Sequence, residues 1–268
     1  MSFVATAVKQ ERLEQLIAAH APLVIAYSGG VDSTYLLAIA ARTVGDRCLG
    51  VIADSPSLPR EALSNAVALA RDIGAKLEII ETREMDNPSY SANPPNRCYF
   101  CKAELFATLE SLAGARGFAA IAYGENADDA RQVRPGRRAA TEFRVLAPLK
   151  EVGLAKSEIR LLSRAINLPT ADAPAQPCLS SRIPYGTAVT PGALAMIERA
   201  EMIVRGFGFR VFRVRHVVAG DCCQARIEIR PEEMPKLAAV EEAILLAVRE
   251  VGYENAWIDP RGYGASLR

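Results

Sequence analysis

Four short apolar runs, each separated from the next by a helical pattern, limit the folds open to this chain. Leu23-Val24-Ile25-Ala26-Tyr27, Leu49-Gly50-Val51-Ile52-Ala53, Leu77-Glu78-Ile79-Ile80 and residues 119–123 read as strands. Between them, helical spacing covers 34–44, 59–73 (Leu63, Ala66, Val67, Ala70) and 102–112. Strands with so little polar alternation must be covered on both faces, and alternation with helices makes their pairing parallel. The expectation is an α/β protein built on a doubly wound parallel sheet. Ligands of such sheets sit at the carboxyl ends of the strands.

Proline marks two irregular stretches. Pro88, Pro94 and Pro95 precede Cys98, and Pro169, Pro174, Pro177, Pro184 and Pro191 surround Cys178. Long irregular segments in compact domains are usually functional or linkers. The pattern changes beyond the second: helix 192–204, strands 209–218 and 224–229, helix 231–251 and a short strand at 256–258. This predicts a first domain over 1–168, an active-site loop and linker over 169–190, and a smaller C-terminal α+β domain over 191–268. The chain's 268 residues suit one or two domains and can build a core without disulfides.

Charge narrows the partners. The chain carries 32 basic and 31 acidic side chains, a formal charge of +1, which argues against a broad nucleic-acid binder. No apolar run reaches the roughly 20 residues of a membrane span. Residues 1–16 lack the features of a signal peptide. A cytoplasmic protein with no membrane partner is expected. In that reducing compartment the six cysteines (48, 98, 101, 178, 222 and 223) point away from a disulfide framework.

The sharpest motif is Ser28-Gly29-Gly30-Val31-Asp32-Ser33-Thr34, between the first strand and the next helix. Two glycines let the backbone approach an anion closely, and the helix start offers unpaired N–H groups. Ser28, Ser33 and Thr34 add hydroxyls, and Asp32 can hold Mg²⁺ against phosphate oxygens. The G-x-x-x-x-G-K-[ST] signature of P-loop NTPases is missing. After the fourth strand comes Gly124-Glu125-Asn126-Ala127-Asp128-Asp129, whose carboxylates can ligate Mg²⁺, bind ribose or cap a helix. Arg131, Arg134, Arg137, Arg138 and Arg144 follow, suited to an acidic substrate or a polyphosphate, or to a solvated basic loop.

Cys98-Tyr99-Phe100-Cys101 opens a helix and is compatible with redox chemistry, metal binding or neither. Cys178 lies beside Arg182, a charge that can favour its thiolate. Three cysteines in irregular segments near one sheet edge, Cys98, Cys101 and Cys178, could hold an iron–sulfur cluster with one iron left open. Cys48 reads as core, and Cys222-Cys223 as a turn without an assigned role. On the strand 209–218, Arg213 and Arg215 share one face, roughly 7 Å apart, as a phosphate clamp or an exposed charged face. His216 reads as structural.

The Ser28–Thr34 loop resembles the pyrophosphate-binding signature of the PP-loop ATP pyrophosphatases. That resemblance implies a five-stranded sheet, with ATP across its carboxyl edge, adenine near Ala53, Asp54 and Ser55, and further ATP contacts from Gly124, Asn126 and Asp128. From Ser28 to about Glu228 the chain is similar to the LarE family of ATP-dependent sulfur transferases of nickel-pincer cofactor biosynthesis. The matching strings are the loop, Asn126-Ala127-Asp128-Asp129, Arg134-Pro135-Gly136, Lys156-Ser157-Glu158-Ile159-Arg160 and Cys178-Leu179-Ser180-Ser181-Arg182-Ile183-Pro184-Tyr185-Gly186.

This resemblance implies adenylation of a carboxylate of pyridinium-3,5-biscarboxylic acid mononucleotide and sulfur transfer at Cys178. It also implies substrate-phosphate binding by Arg213 and Arg215, and a homo-oligomer. The CxxC pair places the chain with the members that use a [4Fe-4S] cluster on Cys98, Cys101 and Cys178, whose open iron carries an extra sulfide. Members with only the cysteine matching Cys178 give up its sulfur. Ala171 and Ala173 stand where the family often has Trp and Lys. Competing readings are an ammonia-dependent amide ligase, a tRNA thiolase and a non-enzymatic nucleotide-binding module.

Overall fold

The computed structural model describes residues 3–129, 135–220 and 222–264. In its first half the elements run α1 (Phe3–Ala19), β1 (Leu23–Ala26), α2 (Val31–Val44), β2 (Cys48–Asp54), α3 (Arg60–Asp72), β3 (Leu77–Glu81), α4 (Pro88–Ser91), α5 (Arg97–Arg116) and β4 (Ala120–Tyr123). They continue as α6 (Pro135–Glu142), α7 (Pro148–Glu151), α8 (Lys156–Ala165), α9 (Pro191–Gly206), β5 (Phe212–Ala219), β6 (Cys222–Ile229), α10 (Glu241–Glu250) and β7 (Asn255–Ile258). Two compact units form. One takes Met1–Glu84 and Asn96–Gln176, the other Met85–Pro95 and Pro177–Arg268.

The first unit holds a parallel sheet in the order β3-β2-β1-β4. Successive side chains of a strand point to opposite faces. Accordingly Leu23 and Ile25 of β1 join one core with Leu13, Tyr35 and Ile159, while Val24 joins another with Phe106, Leu109 and Tyr123. This covering of both faces is the doubly wound α/β architecture expected from the uniform apolar strands. Chain order reverses between β1 and β4, so the crevice at their carboxyl ends is the topological switch point.

The five-stranded sheet implied by the resemblance is corrected to four strands among the described residues, plus a single parallel bridge between Ala122 and Leu146. Among the described residues the chain leaves the sheet on either side of that bridge. Arg144 turns the chain in the left-handed region (φ 52°), and Pro148 starts α7 two residues after the bridge. Glu158 ties α8 to α1: it accepts from the Ala155 N–H (2.9 Å), Lys9 Nζ (2.7 Å) and Thr6 Oγ1 (3.1 Å). These partners outweigh the burial that would raise its pKa and hold it below the usual carboxylate range.

In the second unit β5 and β6 pair antiparallel and β7 joins β6 in parallel. Phe212, Val214, Ala225, Ile227 and Ile229 face a core completed by Val204, Ile244 and Val248. Thr190 caps α9 by accepting the Ala193 N–H at 3.1 Å, with Pro191 in the first turn. The segment 85–95 belongs here because Asn93, fully buried, donates to the carbonyls of Pro184 (2.7 Å) and Thr187 (2.9 Å). Two local expectations change. The helix over 231–251 is a 3₁₀ stretch with Pro235 inside it, followed by α10, because proline removes a helical donor. Cys222 and Cys223 open β6 instead of lying in a turn.

Asp259, buried after β7, accepts from Arg261 Nη2 at 2.8 Å. Bonding to Arg261, against the opposing effect of burial, lowers its pKa from 3.8 to about 2. A carboxylate depressed on folding stabilises the fold above its unfolded value and loses that contribution as the pH falls through the folded one. Urea midpoints of the protein and Asp259→Asn should therefore differ at pH 6 and converge as the pH falls from about 4 towards 2. A gap that does not change with pH would assign the acid sensitivity elsewhere.

Candidate active site

β1 ends at Ala26, and the chain turns through Ser28-Gly29-Gly30 into α2. Gly29 is left-handed (φ 71°), and a Cβ on it would lie 2.7 Å from the Ala66 Cβ of α3. The Ser33 hydroxyl braces the turn. It donates to Gly30 O (3.2 Å), accepts from Ser28 N (3.2 Å) and pairs with Ser28 Oγ (3.0 Å). Thr34 N donates to Gly30 O at 2.9 Å, so the N–H groups before it precede the helical ladder. Together with the helix dipole they form an anion cradle.

Across the switch point, Gly124 packs directly on the first turn of α2. A Cβ there would meet Ser33 N at 2.7 Å and the Asp32 carbonyl carbon at 3.0 Å. Asn126 closes its own turn by accepting from Asp128 N (2.9 Å) and Asp129 N (3.1 Å), and donates through Nδ2 to Asp32 Oδ2 at 3.2 Å. Lys156 Nζ lies 2.7 Å from the same Oδ2. Among the described residues, Asp32 Oδ1 is buried and has no hydrogen-bond partner. Such an oxygen beside a phosphate cradle is a fitting ligand for a hard cation such as Mg²⁺.

The remaining predicted nucleotide residues lie at the end of β2. Asp54 pairs with Arg60, whose Nη2 also donates to the carbonyls of Ser55 (2.7 Å) and Leu58 (2.8 Å). Ser55 is buried and pairs with Ser57 Oγ at 2.8 Å; Ser57 in turn donates to the buried Glu84 at 3.4 Å. Ala53 is half-buried in β2. Asp128 has a structural partner: its Oδ2 accepts the backbone N–H of Lys156 at 2.8 Å. Of the arginines after Asp129, Arg131 and Arg134 lie outside the described residues. Arg137 pairs with buried Glu125 at 2.7 Å, Arg138 with Glu142 at 2.8 Å.

Cys98 and Cys101 occupy the first two turns of α5 in the first unit, Cys98 exposed and Cys101 half-buried. Cys178, also half-buried, belongs to the second unit. Among the described residues, neither unit gathers three Cys, His, Asp or Glu side chains that could hold a metal ion. Burial pushes the Cys48 thiol up to about 12, as suits a core residue. It also lowers the pKa of His216, which is buried against Tyr253.

Arg182 is buried and grips the Cys178 loop. Its guanidinium binds Glu201 through two bonds (2.8 and 2.9 Å) and donates to the carbonyls of Pro177 (2.6 Å) and Cys178 (3.0 Å). Arg215 donates to Ser181 O (2.8 Å) and Glu228 Oε2 (3.0 Å), and Arg226 takes the other Glu228 oxygen at 3.0 Å. Arg213 lies over the Tyr263 ring; burial and the nearby Arg182 charge lower its pKa. Register sets Arg213 opposite Glu228 and Arg215 opposite Arg226. The motif reading missed Glu201 and Glu228. Glu201 carried a signal, since it continues the buried stripe Leu194, Ile197, Val204 on α9.

A switch-point crevice with this cradle, joined to a separate α+β unit, defines a PP-loop type of protein. No family model matches the chain. It is 45% identical over 257 residues to the Synechocystis protein slr1717, covering 95% of this chain and 94% of that one. It is also 28% identical to the pyridinium-3,5-bisthiocarboxylic acid mononucleotide synthase of Lactiplantibacillus plantarum, over 89% of this chain and 86% of the relative. The Methanocaldococcus jannaschii protein MJ0830 is 26% identical over 88% of each chain. The chain belongs to one family with slr1717 and is similar to the Lactiplantibacillus synthase over most of its length.

The close approach of Gly124 predicts that Gly124→Ala destabilises the protein by about 1–3 kcal/mol, read as a fall in Tm. Gly114, inside α5 with open space around its Cβ position, is the control. Gly114→Ala should stabilise by about 0.5–1 kcal/mol. Equal, small effects at both sites would remove the steric argument.

Proposed function

We propose that the chain is an ATP-dependent, AMP-forming sulfur transferase acting on pyridinium-3,5-biscarboxylic acid mononucleotide. The observation that carries this reading is the cradle at the β1–β4 switch point, with the unpartnered Asp32 Oδ1 beside it. Ser28, Gly29, Gly30, Ser33 and Thr34 hold the phosphates of ATP, Gly124, Asn126 and Asp128 shape the opposite wall, and Ala53, Asp54 and Ser55 border the adenine. Mg²⁺ on Asp32 would neutralise the polyphosphate charge. The substrate class comes from the Lactiplantibacillus relative's name together with the arginine face of β5 and β6. Arg213 and Arg215 clamp the mononucleotide's phosphate. The domain scheme of 1–168 for adenylation, 169–190 for the active-site loop and 191–268 for substrate binding and oligomerisation belongs to the same proposal, as does a cytoplasmic location.

In this mechanism a substrate carboxylate oxygen attacks the α-phosphorus, pyrophosphate leaves, and the acyl adenylate forms. Sulfur then attacks the activated carbonyl carbon and AMP departs. Arg182 holds the Cys178 backbone in place through the two carbonyls it grips. A [4Fe-4S] cluster on Cys98, Cys101 and Cys178 is proposed as sulfur source from the sequence resemblance. Each unit supplies fewer than three of these thiolates.

Direct donation by Cys178 is the second reading, favoured by the bond from Arg215 to Ser181 O, three residues from the thiol. There the Cys178 sulfur forms a thioester. Loss of the Cα proton and cleavage of the Cβ–S bond then leave dehydroalanine and a thiocarboxylate.

Pyrophosphate release with the mononucleotide, ATP and Mg²⁺ tests the adenylation. It should be lost in Asp32→Ala with the fold intact; unchanged release would remove Asp32 from the reaction. The sulfur source is tested on anaerobically purified protein. The cluster predicts iron and acid-labile sulfide that fall in Cys98→Ala, Cys101→Ala and Cys178→Ala alike, with adenylation preserved. An iron-free protein that turns over once and loses the mass of one hydrogen sulfide at Cys178 would establish direct donation instead.

A further inference from the structure

Lys156 belongs to the Lys156–Arg160 string, which has no part in the chemistry above. Its surroundings give it one. It is the first residue of α8, and that helix start is fixed twice, by Asp128 Oδ2 on the Lys156 N–H (2.8 Å) and by Glu158 on the Ala155 N–H (2.9 Å). From this anchored backbone the ammonium reaches Asp32 Oδ2 at 2.7 Å, beside Asn126 Nδ2 at 3.2 Å on the same oxygen. One oxygen of the carboxylate is thus occupied by a cation and an amide. The other, Oδ1, is buried and without a partner among the described residues.

That asymmetry has an electrostatic consequence. A divalent cation arriving alone at Oδ1 meets a carboxylate already neutralised by a fixed ammonium, and is repelled by that ammonium at short range. A cation arriving on a polyphosphate brings net negative charge, which the same ammonium attracts. We infer that Lys156 is a specificity-determining residue that makes the Asp32 site accept a divalent cation together with a polyphosphate and reject it alone. The inference rests on the nucleotide-binding reading and deepens it. A purely structural role would weaken both ligands in a Lys156 variant; this role moves them in opposite directions.

The test uses the full chain with Mn²⁺ and inorganic pyrophosphate as probes, titrated by calorimetry and by the electron paramagnetic resonance of free Mn²⁺. Lys156→Met should bind Mn²⁺ alone about tenfold more tightly, and pyrophosphate in the presence of Mn²⁺ about tenfold more weakly. Lys156→Arg, which keeps the charge, should keep the wild-type order. Asp128→Asn, which loosens the Lys156 anchor, should shift both constants in the same directions by a smaller factor, and serves if Lys156→Met does not fold. Mn²⁺ affinity unchanged or weakened in folded Lys156→Met overturns the inference while leaving nucleotide binding in place. Wild-type protein that binds no pyrophosphate with Mn²⁺ overturns both.

Discussion

The structure of the first unit depends on a contact that only glycine permits. With no Cβ at position 124, the loop leaving β4 rests against the Ser33 amide and the Asp32 carbonyl carbon, the first turn of α2. This closeness brings Asn126 within 3.2 Å of the Asp32 carboxylate. The same loop carries Asp128, which fixes the start of α8 and through it Lys156. Gly29 makes an equally tight approach to α3 on the other side. The turn into α2 is therefore a junction of four helix and strand ends. Its shape follows from backbone packing before any ligand contributes.

The second unit is organised by charge compensation. Glu228 is fully buried and shared by Arg215 and Arg226, while Glu201 holds Arg182. Buried carboxylates of this kind carry a large desolvation penalty, which bidentate guanidinium partners offset. The arrangement holds the arginine planes in fixed orientations. Arg213 instead stacks on Tyr263, and its depressed pKa reflects burial among like charges. A phosphate brought to this face would relieve that repulsion.

The sequence made much of this legible because period and composition encode local rules. Uniformly apolar strands foretold the two-sided sheet, and the glycines of Ser28–Thr34 foretold the tight turn from β1 into α2. What stayed hidden depended on pairings far apart in sequence. Nothing local shows that Asp128 meets the Lys156 amide, or that Asn93 belongs with Pro184 and Thr187. The fifth strand expected from the resemblance gave way to a single bridge because Arg144 and Pro148 act on the chain before a ladder can extend. Glu201 was visible in principle as a lone carboxylate in a buried stripe, a pattern that alternation of charge elsewhere on α9 concealed.

The second unit is not a contiguous piece of sequence. It takes Met85–Pro95 from the middle of the first, so the chain passes between the units at 84–85, 95–96 and 176–177. Asn93, at the heart of the borrowed segment, supplies hydrogen bonds that the Pro177–Arg268 portion cannot make by itself. Neither unit could therefore have been acquired, or exchanged between genes, by a single fusion joint. Side-chain changes in Pro177–Arg268 are thereby coupled to eleven residues almost a hundred positions upstream, through the carbonyls that Asn93 holds.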